Sequence, residues 1–323
     1  TACPKCRKLL VVSDSNVAPI YMQTLIASIR SEGIEACEYV YEAGEKSKNV
    51  DTFSSILRTA AKEELTRTDV FVSLGGGVCS DMTGFAAASY LRGVKVVHVS
   101  TSLLGQVDAA IGGKTGFDLP EGKNMVGAFW QPSLVIEDVD TLASLSDEQF
   151  TEGMAEVIKT ALICDKELFE LLDKQKATKN STETLCEIVA RCAQDKIDVV
   201  VEDEHDNGIR QILNFGHTIA HVLEKNSQYE LSHGKAVAQG MGIMLTACAR
   251  NGVCSTMEAK AAIELITRYG LEVDNDTPRA ELAAGATSDK KKRGSDISVI
   301  LIEEIGKAKI QTMNIGELEA FLG

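Results

Sequence analysis

Asp69-Val70-Phe71-Val72-Ser73-Leu74 runs directly into Gly75-Gly76-Gly77-Val78, and a helical pattern follows from Ser80 to Leu91. An apolar run that ends in glycines and resumes as an amphipathic stretch reads as a strand feeding a helix through a tight turn. The bare glycines let backbone amides approach an anion closely, and the helix N-terminus adds favourable partial charge, so the turn suits a pyrophosphate. It is not GxGxxG, and a glycine turn also serves plain tight packing. The strand-to-helix setting is what favours a nucleotide.

The same alternation extends outward from this turn. Lys8 to Val12, Glu35 to Tyr41, Lys95 to Val99 and Leu134 to Ile136 read as strands, and Pro19 to Arg30 and Asn49 to Leu65 as helices. Strand and helix in turn predict a parallel, helix-covered sheet over residues 1–140. From Asp147 to Tyr269 nearly everything reads as amphipathic helix, and Ile297 to Ile302 with Lys307 to Thr312 as a hairpin around Gly306. The fold class expected is therefore an α/β nucleotide-binding domain, 1–140, followed by a mainly α-helical domain for metal and substrate, 141–323.

With 44% apolar and 25% charged residues in 323, the chain can bury a sizeable core. Its net charge of −14 argues against holding a nucleic-acid backbone or an acidic membrane, so any anionic ligand needs a local basic cluster. No apolar run approaches a membrane span and no leader pattern precedes the first strand, which is the profile of a cytoplasmic protein. Nine scattered cysteines, among them Cys37, Cys79, Cys164, Cys186, Cys192 and Cys248, suit small buried hydrophobes in a reducing compartment. Cys3 and Cys6 form a single CxxC, a weak sign of a metal or redox site on its own.

Three of the five histidines lie within seventeen residues: His217, His221 and His233. The first two are four apart, on one face of a helix, and Leu231-Ser232-His233-Gly234 reads as a new helix start after a break at Glu224–Gln228, so two helices could converge on one ion. HxxxH without a central glutamate is not the zinc-protease motif, so a carboxylate must come from elsewhere. Glu156 supplies it. Glu156 and Lys159 lie three apart among small and apolar residues, as an inward-facing pair would; the plainer alternative is a surface ion pair. Arg210, Asn214 and His217 are spaced at four and three, so one helical face could carry all of them. In the N-terminal part, Asp14, Glu45 and Lys48 follow strands at positions suited to ribose contacts. Lys114 and Lys123-Asn124 offer an anion site flanked by glycines. The run Asp289-Lys290-Lys291-Lys292-Arg293 reads by itself as a solvated loop.

Seven segments, in order and suitably spaced, carry a resemblance to a known family. They are GGGVCSDMTGFAA (Gly75–Ala87), QVDAAIGGKTG (Gln106–Gly116), GKNMVGAFWQP (Gly122–Pro132), EGMAEVIKTA (Glu152–Ala161), RQILNFGHTIAH (Arg210–His221), LSHGKAVAQGM (Leu231–Met241) and the late Asp289-Lys290-Lys291. The chain resembles, over nearly its whole length, the 3-dehydroquinate synthase family of sugar-phosphate cyclases, relatives of the metal-dependent alcohol and glycerol dehydrogenases. The resemblance implies zinc on Glu156, His217 and His233, with cobalt fitting the same ligands, and moves His221 from the metal to a phosphate pocket. It implies NAD on Asp14, Glu45, Lys48, Gly76, Gly77, Asp81, Thr101, Ser102, Leu104, Asp108, Lys114, Lys123, Ser144 and Leu145. Substrate would be held by Asp108, Lys114, Asn124, Lys159, Lys196, Arg210, Asn214 and His221, with Lys290 or Lys291 closing over the phosphate and Arg92 reaching a neighbouring subunit's phosphate site in a homodimer.

The implied reaction converts 3-deoxy-D-arabino-heptulosonate 7-phosphate to 3-dehydroquinate with loss of orthophosphate, by transient oxidation, β-elimination, re-reduction and aldol closure. Lys196 with Arg210 would pair the substrate carboxylate, which separates this reading from sister cyclases acting on glucose 6-phosphate or sedoheptulose 7-phosphate. A simple alcohol dehydrogenase would not need Lys114, Asn124 and His221 as a phosphate pocket, and a non-catalytic NAD-binding or scaffold protein would not need Glu156, Lys159, His217 and His233 together. Departures from the family pattern are Ser100-Thr101-Ser102 for proline-threonine-threonine, Asp118 for asparagine, Ala220 for glycine and Lys235 for glutamate, the last adding positive charge near the metal site. The start at Thr1, close to the first strand, fits a chain cut from a longer one, such as a multi-enzyme polypeptide.

Overall fold

The strands of the N-terminal part are β1 (Lys8–Asp14), β2 (Glu35–Tyr41), β3 (Val70–Gly75), β4 (Lys95–Ser100), β5 (Lys114–Leu119), β6 (Gly122–Phe129) and β7 (Leu134–Glu137), with helices α1 (Ala18–Ser31), α2 (Val50–Lys62) and α3 (Gly77–Ser89) between them. This computed structural model describes residues 6–289 and 296–323. The chain divides into two compact units, Thr1–Ser144 and Leu145–Gly323.

In the first unit a parallel sheet runs in the order β2-β1-β3-β4-β7. Helices cover both faces: Met22 and Ile26 of α1 pack with Val11, Val72 and Leu74, while Ile56 of α2 and Met82 and Ala86 of α3 pack with Leu10, Val12, Phe71 and Val96. β3 is buried at every residue, which is why it reads as an unbroken apolar run. Its start is fixed by Asp69, whose carboxylate accepts the amides of Lys8 (2.9 Å) and Thr66 (2.7 Å) and so ties β1 to β3. Burial opposes that charge, but the donated hydrogen bonds hold the carboxyl below the usual carboxylate range. Because β1 is flanked by β2 and β3, the chain reverses its direction of winding there, and the carboxyl ends of β1 and β3 border the crevice where such sheets bind ligands.

Two expectations shift. The helix after the glycine turn begins at Gly77 rather than Ser80 and gives way at Tyr90 to a single 3-10 turn, Tyr90–Arg92. The two glycine-flanked basic clusters form an antiparallel hairpin, β5–β6, which their glycine-rich, weakly alternating sequence did not suggest.

The second unit consists of α4 (Asp147–Ile163), α5 (Lys166–Lys174), α6 (Thr182–Glu202), α7 (His217–Asn226), α8 (His233–Arg250), α9 (Thr256–Arg268) and α10 (Arg279–Asp289), then the hairpin β8 (Asp296–Glu304) and β9 (Lys307–Asn314), and α11 (Ile315–Leu322). A Ser146/Gln149 capping box starts α4, and from Gly153 to Ile163 every residue of it is buried. A helix buried all round is a core helix, so polar side chains on it must meet partners inside. α7 continues to Asn226, through part of the stretch that reads as a break. Cys186 is exposed, against the expectation of burial, whereas Cys79, Cys192 and Cys248 are buried; of the CxxC pair, Cys3 lies outside the described residues. No described helix is long and apolar enough to cross a membrane.

Candidate functional site

α4, α7 and α8 bring one side chain each to a common point. Glu156, on α4, is 1% exposed; its Oε1 lies 3.4 Å from His217 Nε2 and 3.3 Å from His233 Nε2. One ligand atom from each of the three lies within 4.8 Å of the others. Among the described residues Glu156 Oε1 is buried with no hydrogen-bond partner and is faced by the two imidazole nitrogens, as an oxygen aimed at a shared ion would be. Its other oxygen, Oε2, accepts from Lys159 Nζ, one turn on and equally buried. A carboxylate and two imidazoles with a further open side is the donor set of a catalytic zinc or cobalt site, so these residues fit such an ion. His221 stands beside His217, ring centres 5.8 Å apart, and is not among the three converging residues.

Electrostatics reinforce the convergence. Burial opposes ionisation of Glu156, but Lys159, His217 and His233 outweigh it and hold the carboxyl well below its usual range. Burial pushes His217 down to about 3; His233 is also penalised by burial, yet the carboxylates of Glu156 and Glu224 push it up to about 10. Glu224, absent from the sequence-based site, is buried on α7 with Oε1 3.5 Å from His233 Nδ1. It follows His217 by seven residues, the same helical face, and that spacing was the available signal.

The geometry depends on two glycines. Gly216 adopts φ +78° between a 3-10 helix, Ile209–Asn214, and α7, and a side chain there would meet Met241 and the Val237 carbonyl. This break overturns the expectation that Arg210, Asn214 and His217 share one helical face: the first two belong to the 3-10 helix and only His217 to α7. A Cβ on Gly234 would stand 2.5 Å from the Glu152 carbonyl oxygen, so the glycine after His233 is what lets α8 lie against α4.

Arg210 is 1% exposed, and its guanidinium donates to the Glu204 carbonyl (2.5 Å). Asp203 shapes that loop by accepting the amides of Gly208 (2.6 Å) and Arg210 (3.1 Å). Lys196 is buried on α6 and Asn214 half-buried. Lys235 does not leave an uncompensated charge beside the histidines, because it pairs with Glu148 in the first turn of α4. Lys290 and Lys291 lie outside the described residues.

In the first unit, Asp14 ends β1, the glycines end β3, and Thr101, Ser102 and Leu104 follow β4, all at the carboxyl edge of the sheet. Gly76 is the N-cap of α3, and a side chain on it would come within 2.9 Å of Ser102 Oγ, so the turn keeps its backbone bare for a close ligand. Lys48 is no solvated loop charge: it is buried and donates to Asp81 and to Asn124 Oδ1, each at 2.6 Å. Burial works against its charge, but Asp81 and Glu45 raise its pKa above the ordinary lysine value. Asn124 sits at φ +55° with its amide on Asp118 Oδ1 (2.7 Å), which gives the family departure at Asp118 a place in the turn. Lys123 pairs with Glu45 (3.8 Å). Asp81, Lys114 and Asn124 border a cavity of about 360 Å³ with Thr115, Met125 and Phe129. Asp108 lies in a π-turn, Gly105–Ala109, held by buried Gln106, whose amide donates to the carbonyls of Ser100 (3.0 Å) and Asp138 (2.9 Å). Leu91 and Arg92 occupy left-handed backbone at φ 50° and 69°, a strained presentation for two non-glycine residues. Ser144 closes a short 3-10 helix and Leu145 opens the second unit.

Comparison with known proteins agrees with both halves of this description. Residues 38–152 match the family described as 3-dehydroquinate synthase N-terminal, and residues 153–292 its C-terminal counterpart. The chain belongs to the 3-dehydroquinate synthase family. It is 41% identical over 318 residues to the 3-dehydroquinate synthase of Clostridium kluyveri, covering 98% of this chain and 89% of that one, and 40% identical over 319 residues to that of Streptococcus sanguinis, covering 98% and 90%. Among solved structures, the 2-epi-5-epi-valiolone synthase of Streptomyces hygroscopicus, with NAD+ and Zn2+ bound, matches with a TM-score of 0.90 at 27% identity over 98% of this chain and 90% of that one. A 2-deoxy-scyllo-inosose synthase shares the fold, with a TM-score of 0.87 at 22% identity over the same shares of each chain. The architecture expected for the 3-dehydroquinate synthase family, a parallel-sheet unit followed by a mainly helical one, is the architecture present.

Proposed function

We propose that this chain converts 3-deoxy-D-arabino-heptulosonate 7-phosphate to 3-dehydroquinate and orthophosphate, in the cytoplasm and as a homodimer. The observation that carries the reading is the Glu156–His217–His233 convergence within a chain that matches both halves of the 3-dehydroquinate synthase family. NAD and a zinc ion, when bound, supply a reversible hydride acceptor and a Lewis acid for the substrate's oxygens.

The remaining chemistry falls to side chains. Glu156, His217 and His233 hold the ion, and Lys159, an ammonium kept inside by Glu156, offers a positive charge to a substrate oxygen from a site with little water to screen it. Lys196 and Arg210 bind the substrate carboxylate. Arg210 is suited to this by its planar fork and by the Glu204 carbonyl that fixes its orientation. Asn214 adds a polar contact on the same 3-10 helix, and His221, Lys114, Asn124 and Asp108 take the phosphate and hydroxyl groups. Lys290 or Lys291 closes over the phosphate, and the partner subunit reaches it with its own copy of Arg92. Asp14, Glu45, Lys48, Asp81, the Gly76–Gly77 turn, Thr101, Ser102, Leu104, Lys123, Ser144 and Leu145 form the NAD site.

The competing reading is a sister cyclase acting on a sugar phosphate without a carboxylate. Phosphate release should therefore be measured for the full chain with NAD and zinc on the heptulosonate phosphate, sedoheptulose 7-phosphate and glucose 6-phosphate. Turnover of the first and near silence on the others is expected. Faster release from either sugar phosphate would overturn the assignment. Lys196→Ala should raise KM for the heptulosonate phosphate by roughly 10-fold or more, the scale of a lost charge-assisted contact.

A further inference from the structure

We propose that Glu224 is a positioning residue for His233 and that its carboxylate sets the affinity of the Glu156–His217–His233 site for a divalent metal ion. The inference rests on the metal reading above and adds a residue to it. An imidazole has two nitrogens, and the one that ligates is decided by what holds the other. His217 has Nδ1 3.2 Å from the Phe215 carbonyl and Nε2 facing Glu156. His233 repeats the arrangement with a different acceptor: Nε2 faces Glu156 and Nδ1 lies 3.5 Å from Glu224 Oε1. Both rings thus present Nε2 to the same point.

Glu224 occupies a costly place. It is 2% exposed, and a buried carboxylate loses several kcal/mol of solvation unless charge or hydrogen bonds compensate it. It also lies in the last turn of α7, where the helix dipole disfavours negative charge. Burial and its own helix both disfavour a carboxylate there, and the His233 ring stands 3.5 Å from it. His233 in turn needs an external hold. It is the first residue of α8, its N-cap Ser232 makes no side-chain cap, and its side chain is 34% exposed against 12% for His217. Glu224 therefore links the helix that supplies one histidine to the ring of the other, and by holding Nδ1 keeps Nε2 as the nitrogen turned to the ion site.

The test uses the full chain stripped of metal, with zinc affinity measured by competition with a chromophoric chelator and the site geometry followed through the visible bands of bound Co2+. Glu224→Gln keeps the shape and an acceptor oxygen but removes the charge; it should weaken zinc binding about 10-fold, and Glu224→Ala up to about 100-fold, with the cobalt bands altered. Metal-free Glu224→Gln should keep the parent's circular dichroism, so that altered cobalt bands report the site and not a merely structural loss. If Glu224→Ala fails to fold, Glu224→Gln decides alone. Zinc affinity within 2-fold of the parent in the folded variants, with unchanged cobalt bands, would overturn the role of Glu224 while leaving the metal site intact. A parent chain that binds neither ion would remove the metal reading and this inference together.

Discussion

Lys159 and Glu156 form an ion pair inside a core helix, and such pairs are unforgiving when halved. Glu156→Ala should abolish zinc retention and cost about 3 kcal/mol or more of stability, because it leaves a buried ammonium with its principal partner gone; metal content and urea unfolding check both parts. Gly234→Ala tests the close approach of α8 to α4 without touching a ligand. Its methyl has no room against the Glu152 backbone, so a loss of about 1–3 kcal/mol and weaker zinc binding are expected together, read by thermal melting and chelator competition. At this scale the sequence was informative where side-chain type is itself rare: three clustered histidines and a glutamate in an apolar helix singled themselves out. Glu224 and Gln106 did not, because a glutamate or glutamine on a helix usually faces water, and only tertiary packing reveals one that is buried.

Among elements, the parallel strands and buried helices were legible because their apolar periods are strong, and β3 needed no neighbours to be recognised. The β5–β6 hairpin was not, since its residues answer to close backbone approach, as at Gly116 and Gly127, more than to alternating burial. The single face proposed for Arg210, Asn214 and His217 failed for a local reason, the left-handed Gly216, which resets the helix axis between them. Within the sheet, His98 of β4 is buried and shares a 2.7 Å hydrogen bond with Ser73 of β3; burial alone pushes its pKa from 6.5 down to about 4. The unfolded chain therefore binds a proton at His98 that the folded chain refuses between these values. Stability should be full above about pH 6.5 and erode by up to roughly 3 kcal/mol as pH falls towards 4. Denaturant melts across that range should show a smaller slope for His98→Gln than for the parent.

For the molecule as a whole, the proposed homodimer would make each active site dependent on the other chain through Arg92, which sits on strained backbone in the 3-10 turn after α3. Arg92→Ala and Lys159→Ala should each be nearly inactive alone. Mixed by co-refolding, they should recover activity, since the hybrid has one site with both residues intact; random pairing gives about a quarter of the parent rate. No recovery, with hybrids demonstrated by mass, would place Arg92 in its own subunit's chemistry or outside it. Neither pattern nor composition could have located a residue proposed to act in another copy of the chain; it entered through resemblance.

Glu156, His217 and His233 lie on three helices, α4 well separated in sequence from the successive α7 and α8, so an ion seated among them would also be a cross-link. Free zinc at about 100 times its Kd should add about 2.7 kcal/mol to the folded state, and chelation should remove it. The melting temperature would then serve as a gauge of available zinc, and zinc starvation would shorten the lifetime of the protein as well as silence its chemistry.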